Sequence, residues 1–346
     1  MRAALGRTLR RGETDLALGL GGALWWFWSV RGHYGEGRRW LEGALAATER
    51  GSIESRAMAL AGAGALATDQ GDLDQAEGFS VEGLEVLKGG ASERSEAKPY
   101  LLLNSGHVAL EIADYDKATR LFEESLSLSR EIEPGRGGAS SLMSLATVTH
   151  KQGDLERATK LYEEGIDLFR ARGDKLGLAM CLSNLGLVMY SQGDLGRATK
   201  LAEEGVSLLR ESGAEAHTAI GLCNLGWISL LQNDIGRAAD YYEESLDLAW
   251  DNEMEPVVLT TLEGYACVAG AQGEARRAAR LWGAAQTLQE AKGIPRDTDW
   301  LAEADECMSA VRLDLGEQAW EEALAEARAM TLEEAVAYAL EGNEDK

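Results

Sequence analysis

Along this chain, apolar stretches with helical spacing alternate with stretches that are apolar on one face only. "MCLSNLGLVMYS" (Met180–Ser191) and "IGLCNLGWISLL" (Ile220–Leu231) are apolar helical segments. Each is followed by a turn and an amphipathic run, as in "QGDLGRATKLAEEGVSLL" from Gln192 and "QNDIGRAADYYEESLDLA" from Gln232. The predicted unit is helix, short turn, helix, longer turn. It recurs from Gln70, Ile112, Gln152, Gln192, Gln232 and Gln272, with spacings of 42 and then 40 four times, and a weaker copy begins at Arg31. Such a register marks a repeat architecture.

Within each unit the turn chemistry is explicit. Asp72, Asp114, Asp154, Asp194 and Asp234 stand where a helix N-cap belongs, with the carboxylate accepting orphan N–H bonds. Gly71, Gly153, Gly193 and Gly273 precede that position and supply the positive φ that ends the first helix. Small residues recur in the first helix (Gly64, Gly106, Ala146, Gly186, Gly226, Ala266), letting helix axes approach. Phe122, Tyr162, Tyr242 and Trp282 fill the space between.

The L-x-N-L-G runs at Leu182–Gly186 and Leu222–Gly226, the G-D turn and the small residue at Ala198 or Ala238 resemble the tetratricopeptide repeat (TPR) family, in its branch with repeats of about 40 residues. The resemblance covers residues 20–290. It implies an all-α fold: a right-handed superhelical solenoid of about seven TPR-like helical hairpins with a C-terminal helical cap. The expected organisation is an N-terminal helix over residues 1–18, the solenoid over 19–296, capping helices over 297–341 and a tail at 342–346. In the cap, Thr331 and Glu334 form an S/T-x-x-E capping box.

A narrower resemblance bears on function. The stretch from Arg2 to Leu45 and the closing "AARLWGAAQTLQEAKGI" and "ALAEARAMTLEEAVAYAL" are similar to the TPR region of bacterial STAND-type ATPase regulators, many of which end in a LuxR-type DNA-binding domain. No GxxxxGK[ST] occurs, and "EGNEDK" follows Leu340. The resemblance implies the sensor and scaffold part of such a regulator, acting in cytoplasmic signal transduction and transcription control. A standalone adaptor for extended peptide segments of other proteins is the alternative.

Charge narrows the partners. A net charge of -24 disfavours direct nucleic-acid binding and anionic membrane surfaces. The partners that remain are a protein, a peptide or a small uncharged effector. Cys181, Cys223, Cys267 and Cys307 lie about forty residues apart without a CxxC, and read as free thiols. His33, His107, His150 and His217 show no HExxH spacing, and no GxSxG elbow is present. The repeated EE pairs, such as Glu123–Glu124 and Glu203–Glu204, fall on the solvated face of each second helix. No catalytic residue, metal site or cofactor is assigned, and a solenoid enzyme is the weakest reading.

Candidate binding residues lie on the first helices, which line the concave side in the family. Asn104, Asn184 and Asn224 share one position, with Ser144 at the same place. In longer-repeat relatives a matching Asn bonds the backbone of an extended peptide, and an amide offers donor and acceptor together. The same amides can instead satisfy neighbouring backbone or each other. By helical spacing His107, His150, Tyr190 and Trp227 share the groove, giving it a neutral to apolar character.

The segment "LALGLGGALWWFWSV" has fifteen uncharged residues, short of a membrane span of about 20 residues. In register it is the first helix of repeat one. Four consecutive aromatics, Trp25, Trp26, Phe27 and Trp28, spread around roughly 300° of a helix and call for burial on almost every side. They are expected to form an N-terminal docking face, for self-association or for an upstream ATPase domain.

Overall fold

A computed structural model describes residues 5–8, 11–47, 51–88, 95–132, 136–294, 296 and 300–341. The tail at 342–346, and residues 1–4 and 9–10 of the N-terminal segment, lie outside the described residues. Helices are the only regular elements among the described residues, and the chain forms two compact units, Met1–Gln192 and Gly193–Lys346. None of the described helices is long and apolar enough to cross a membrane.

The first unit holds four helical pairs: α1 (Thr14–Val30) with α2 (Tyr34–Ala47), α3 (Ile53–Asp69) with α4 (Leu73–Lys88), α5 (Ala97–Glu111) with α6 (Tyr115–Ile132), and α7 (Arg136–Lys151) with α8 (Leu155–Ala171). It ends with α9 (Lys175–Ser191). The second unit begins with α10 (Leu195–Ser212). It continues through the pairs α11 (Glu215–Leu231) with α12 (Ile235–Asp251) and α13 (Glu255–Ala271) with α14 (Ala275–Lys292). Three further helices follow: α15 (Leu301–Leu315), α16 (Glu317–Ala327) and α17 (Leu332–Leu340). The last starts on the expected capping box. Thr331 Oγ1 accepts from the Glu334 N–H at 3.2 Å, and Glu334 accepts from the Thr331 N–H at 2.8 Å.

The turn chemistry repeats in both units. Asp72, Asp114, Asp154, Asp194 and Asp234 each accept a backbone N–H three residues on, at 3.0–3.3 Å. Gly71, Gly153, Gly193 and Gly273 all have positive φ. Where that glycine is missing, Ala113 and Asn233 take the same left-handed conformation, each with φ 58°.

Close packing explains the small residues of the first helices. A Cβ on Gly106 would lie 2.3 Å from the Phe122 ring, and one on Gly226 would lie 2.4 Å from the Tyr242 ring. Both rings are fully buried. On the outer face, the EE pairs enter ion pairs that tie one second helix to the next. Glu123 pairs with Arg157 at 3.0 Å and Glu164 with Arg130 at 2.5 Å. In the second unit Glu203 pairs with Arg237 and Glu244 with Arg210. These pairs are about half exposed and individually worth little, so they set register more than stability.

Candidate binding cavity

The first helices of the first unit converge on an open cavity of about 450 Å³. Gly19 and Ala23 of α1, Met58 of α3, Tyr100 of α5 and Ser140 of α7 lie on its wall. In the repeat register Gly19, Met58, Tyr100 and Ser140 are one and the same position. That position is one helical turn before Asn104 and Ser144, and residues four apart share a helix face. The cavity therefore opens on the face that carries the asparagine row, displaced toward the helix N-termini.

Aromatic rings build one corner. Trp25 and Trp26 meet edge to face with centroids 5.4 Å apart, and Trp25 meets Tyr100 at 5.9 Å. All three are half-buried. Trp25 holds its place because α3 presents glycine to it: a Cβ on Gly62 would lie 2.7 Å from the Trp25 Cβ. Among the described residues, three carboxylates also lie on the wall, with Ser55, Ser140 and Phe169. Glu54 belongs to the first turn of α3, Glu96 precedes α5 and Asp174 precedes α9. Glu54 accepts the Ala97 N–H at 3.3 Å, and Asp174 caps α9 through the Gly177 N–H at 3.1 Å. Among the described residues the wall is thus acidic and aromatic, where a neutral to apolar groove was expected. Its acidic groups sit at helix starts, where a carboxylate is sufficiently explained as a cap or a dipole partner.

The four N-terminal aromatics do not act as one surface. Trp28 is buried at 1% exposure against α2 and α3, and a Cβ on Gly37 would lie 2.9 Å from it. Phe27 is 41% exposed, and Trp25 and Trp26 face the cavity. The expectation of burial on almost every side holds for Trp28 alone. Neighbouring α2 and α3 cover only part of the circumference over which four successive residues spread.

The predicted groove residues divide in the same way. Asn104 is buried and donates to the Ala61 carbonyl at 2.7 Å, so its amide ties α5 to α3. His107 Nε2 lies 3.1 Å from Ser144 Oγ, with its ring 5.2 Å from Phe122, and burial lowers its pKa to about 4. The imidazole is neutral at physiological pH. His150 Nε2 is 2.8 Å from Ser191 Oγ. Tyr190 is half-buried. Asn184 is half-buried too, and its amide has no hydrogen bond to the described residues, which leaves it available.

In the second unit the chain covers its own predicted residues. Trp300 stacks on Trp227 with centroids 5.8 Å apart and planes 8° from parallel, and each is 2% exposed. Trp300 Nε1 also donates to Asn224 Oδ1 at 3.4 Å. Beside them Arg296 bonds the buried Glu263 at 2.8 Å and lies over the Trp282 ring at 4.6 Å. Trp227 is thus removed from any external ligand in this arrangement. Sequence reasoning missed this because Trp300 lies after the last repeat, where the register no longer assigns positions.

No group of three metal-ligating side chains comes together among the described residues. Cys181, Cys223 and Cys267 are buried and free, Cys307 is half-buried and free, and burial pushes the Cys181 thiol up to about 12, far from a reactive thiolate.

A family model described as tetratricopeptide repeat matches residues 98–171, 139–211 and 178–249. No curated protein sequence matches the chain. Among solved structures, the Rap protein complexed with Competence and Sporulation Factor is similar at a TM-score of 0.63. It has 13% identity, and the match covers 94% of this chain and 99% of that one. The apo form of RapI matches at 0.56 with 14% identity, over 80% of this chain and 95% of that one. NprR in complex with its cognate peptide NprX also matches at 0.56 and 14%, over 72% of each chain. At these identities the likeness is one of fold.

Proposed function

Starting from a chain whose residues 98–249 are tetratricopeptide repeats, we propose a non-enzymatic sensor scaffold that binds a peptide segment on the face of its first helices. The cavity in the first unit carries this reading. Its volume of about 450 Å³ falls within the range of specific ligand sites, and its aromatic corner supplies the anchor that such sites use. Asn184 adds an uncommitted amide on a first helix of the same unit. The solved complexes of similar fold, with Competence and Sporulation Factor and with the peptide NprX, support a peptide-sized occupant. Similarity of the first and last repeats to bacterial STAND-type regulators supports a role in transcription control, where occupancy would change what the scaffold exposes to its neighbours.

Screening the full chain against a library of extended peptides is the direct test. Enrichment of a common sequence is expected, and Tyr100→Ala should weaken the enriched peptide by about tenfold or more with helicity unchanged. A library that yields no common sequence, or a binder indifferent to Tyr100→Ala, would sink the proposal.

A further inference from the structure

Within the second unit, Cys267 and Cys307 come together although 40 positions separate them. Cys267 belongs to α13 and is buried, and Cys307 belongs to α15 and is half-buried. Cys307 Sγ is 4.0 Å from the Cys267 carbonyl oxygen, and the two thiols hydrogen-bond each other. Gly270 permits the approach. A Cβ there would lie 2.6 Å from Val311 and 3.9 Å from Cys307 Sγ, and Cys307 and Val311, four apart, share a face of α15. The packing of two helices therefore holds the sulfurs side by side. The two thiols are also unequal. The Cys267 thiol, as donor, holds Cys307 below the ordinary thiol range, against the opposing effect of burial. The same bond, together with burial, pushes Cys267 well above that range. A more acidic thiol within reach of solvent, beside a buried second thiol, is the arrangement of a reactive cysteine with its resolving partner. Cys181 contrasts with this pair: it is buried, and its thiol is pushed up to about 12.

We infer that Cys267 and Cys307 form an oxidation site that closes to a disulfide when the chain meets hydrogen peroxide. The Cys307 thiolate attacks one peroxide oxygen. An S–O bond forms, the O–O bond breaks, and hydroxide leaves and is protonated to water. The Cys267 sulfur then attacks the sulfenic sulfur of Cys307. The S–S bond forms, the S–O bond breaks, and the departing hydroxide takes the Cys267 proton as a second water. Two thiols together lose two electrons, and one peroxide is reduced to two waters. The new bond fastens α15 to α13. Trp300 stands immediately before α15 and stacks on Trp227. Oxidation thus holds the cover of Trp227 in place, and reduction releases that constraint. This site is independent of the peptide-binding reading and stands or falls without it.

The test treats the full chain with a slight molar excess of hydrogen peroxide, blocks the remaining thiols and maps peptides without reductant. A peptide pair joined through Cys267 and Cys307 is expected. Hydrogen exchange in α15 should slow by about tenfold and recover on addition of dithiothreitol. In Cys267→Ala, checked for unchanged helicity, Cys307 should stop at the sulfenic acid, trapped by dimedone, and peroxide should leave α15 exchange unaltered. A measurement that needs no substitution runs beside it: on the reduced chain iodoacetamide should label Cys307 faster than Cys181 by about tenfold or more. Equal labelling of the two would overturn the inference. So would a disulfide made through Cys223, or oxidation of Cys307 to the sulfinic acid with no joined peptide. Slowed α15 exchange in peroxide-treated Cys267→Ala would overturn it too, since no bond to α13 could then be the cause.

Discussion

Trp26 and Trp227 both lie on first helices, yet the chain treats them in opposite ways. In the first unit Trp26, with Trp25, is left half-buried beside an open cavity. In the second unit Trp227 is sealed beneath a parallel Trp300 and reaches only 2% exposure. The difference is one of supply. The second unit has a segment after its last repeat that returns an indole of matching shape, and Arg296 seats that segment on the buried Glu263. Nothing comparable covers the first unit's aromatics among the described residues. An aromatic on a first helix is therefore core or ligand wall according to what the chain places over it.

The sharpest way to break this contrast is to remove the cover. Trp300→Ala deletes a fully buried indole and strips Trp227 of its stack, at an expected cost of about 3–5 kcal/mol in chemical unfolding. The Trp227 emission should shift to the red. Trp26→Ala, at a half-buried wall, should cost less than half as much and act mainly on ligand affinity. Similar losses from the two substitutions would show that Trp26 is core after all.

Glycine substitutions test what the two units share. Gly106→Ala and Gly226→Ala each drive a Cβ into a fully buried ring, Phe122 or Tyr242, which has no space to retreat. Losses of about 1–3 kcal/mol are expected in each case. Gly78→Ala, where a Cβ meets nothing within 4 Å, should stabilise slightly by raising helix propensity. A large loss at only one of Gly106 and Gly226 would mean that the hairpins of the two units are packed by different rules.

How much of this was legible follows from which positions the repeat controls. The caps at Asp114 and Asp234, the close-packing glycines and the paired outer glutamates are all set by contacts within a hairpin or between adjacent ones, so the register exposes them. The amide of Asn104 was ambiguous because a hydrogen bond to the Ala61 carbonyl and one to a ligand need the same chemistry. The wall carboxylates were hidden because Glu54 and Asp174 already have a local reason to stand at helix starts. Trp300 was out of reach altogether, since its partner lies 73 positions earlier in a non-repeating relation.

The register also pairs His107 with Trp227, and this gives the two units different responses to acid. The unfolded chain takes up a proton on this histidine near the ordinary 6.5, while burial in the folded state delays that step to about 4. Stability is therefore complete above the unfolded value and falls as the pH drops through this window. By about pH 5 the loss should approach 2 kcal/mol, read as faster hydrogen exchange in α5 and α7. His107→Gln keeps a partner for Ser144 and should flatten that limb. Trp227 has no such titration, and acid sensitivity in the second unit falls instead on His217, whose pKa burial also lowers. An unchanged acid limb in His107→Gln would refute the assignment.

The smallest expected effect separates the units at the turn. Ala113 and Asn233 both hold φ 58° where other repeats place glycine. An alanine Cβ crowds the backbone in the left-handed region, whereas asparagine tolerates it better. Ala113→Gly should therefore stabilise the first unit by about 1 kcal/mol, and Asn233→Gly should gain the second unit appreciably less. Both positions lie on exposed turns, so packing does not enter the comparison. Thermal unfolding of the two variants under one condition measures the difference. An equal gain at both sites would show that the turn penalty comes from the backbone alone and is independent of the side chain.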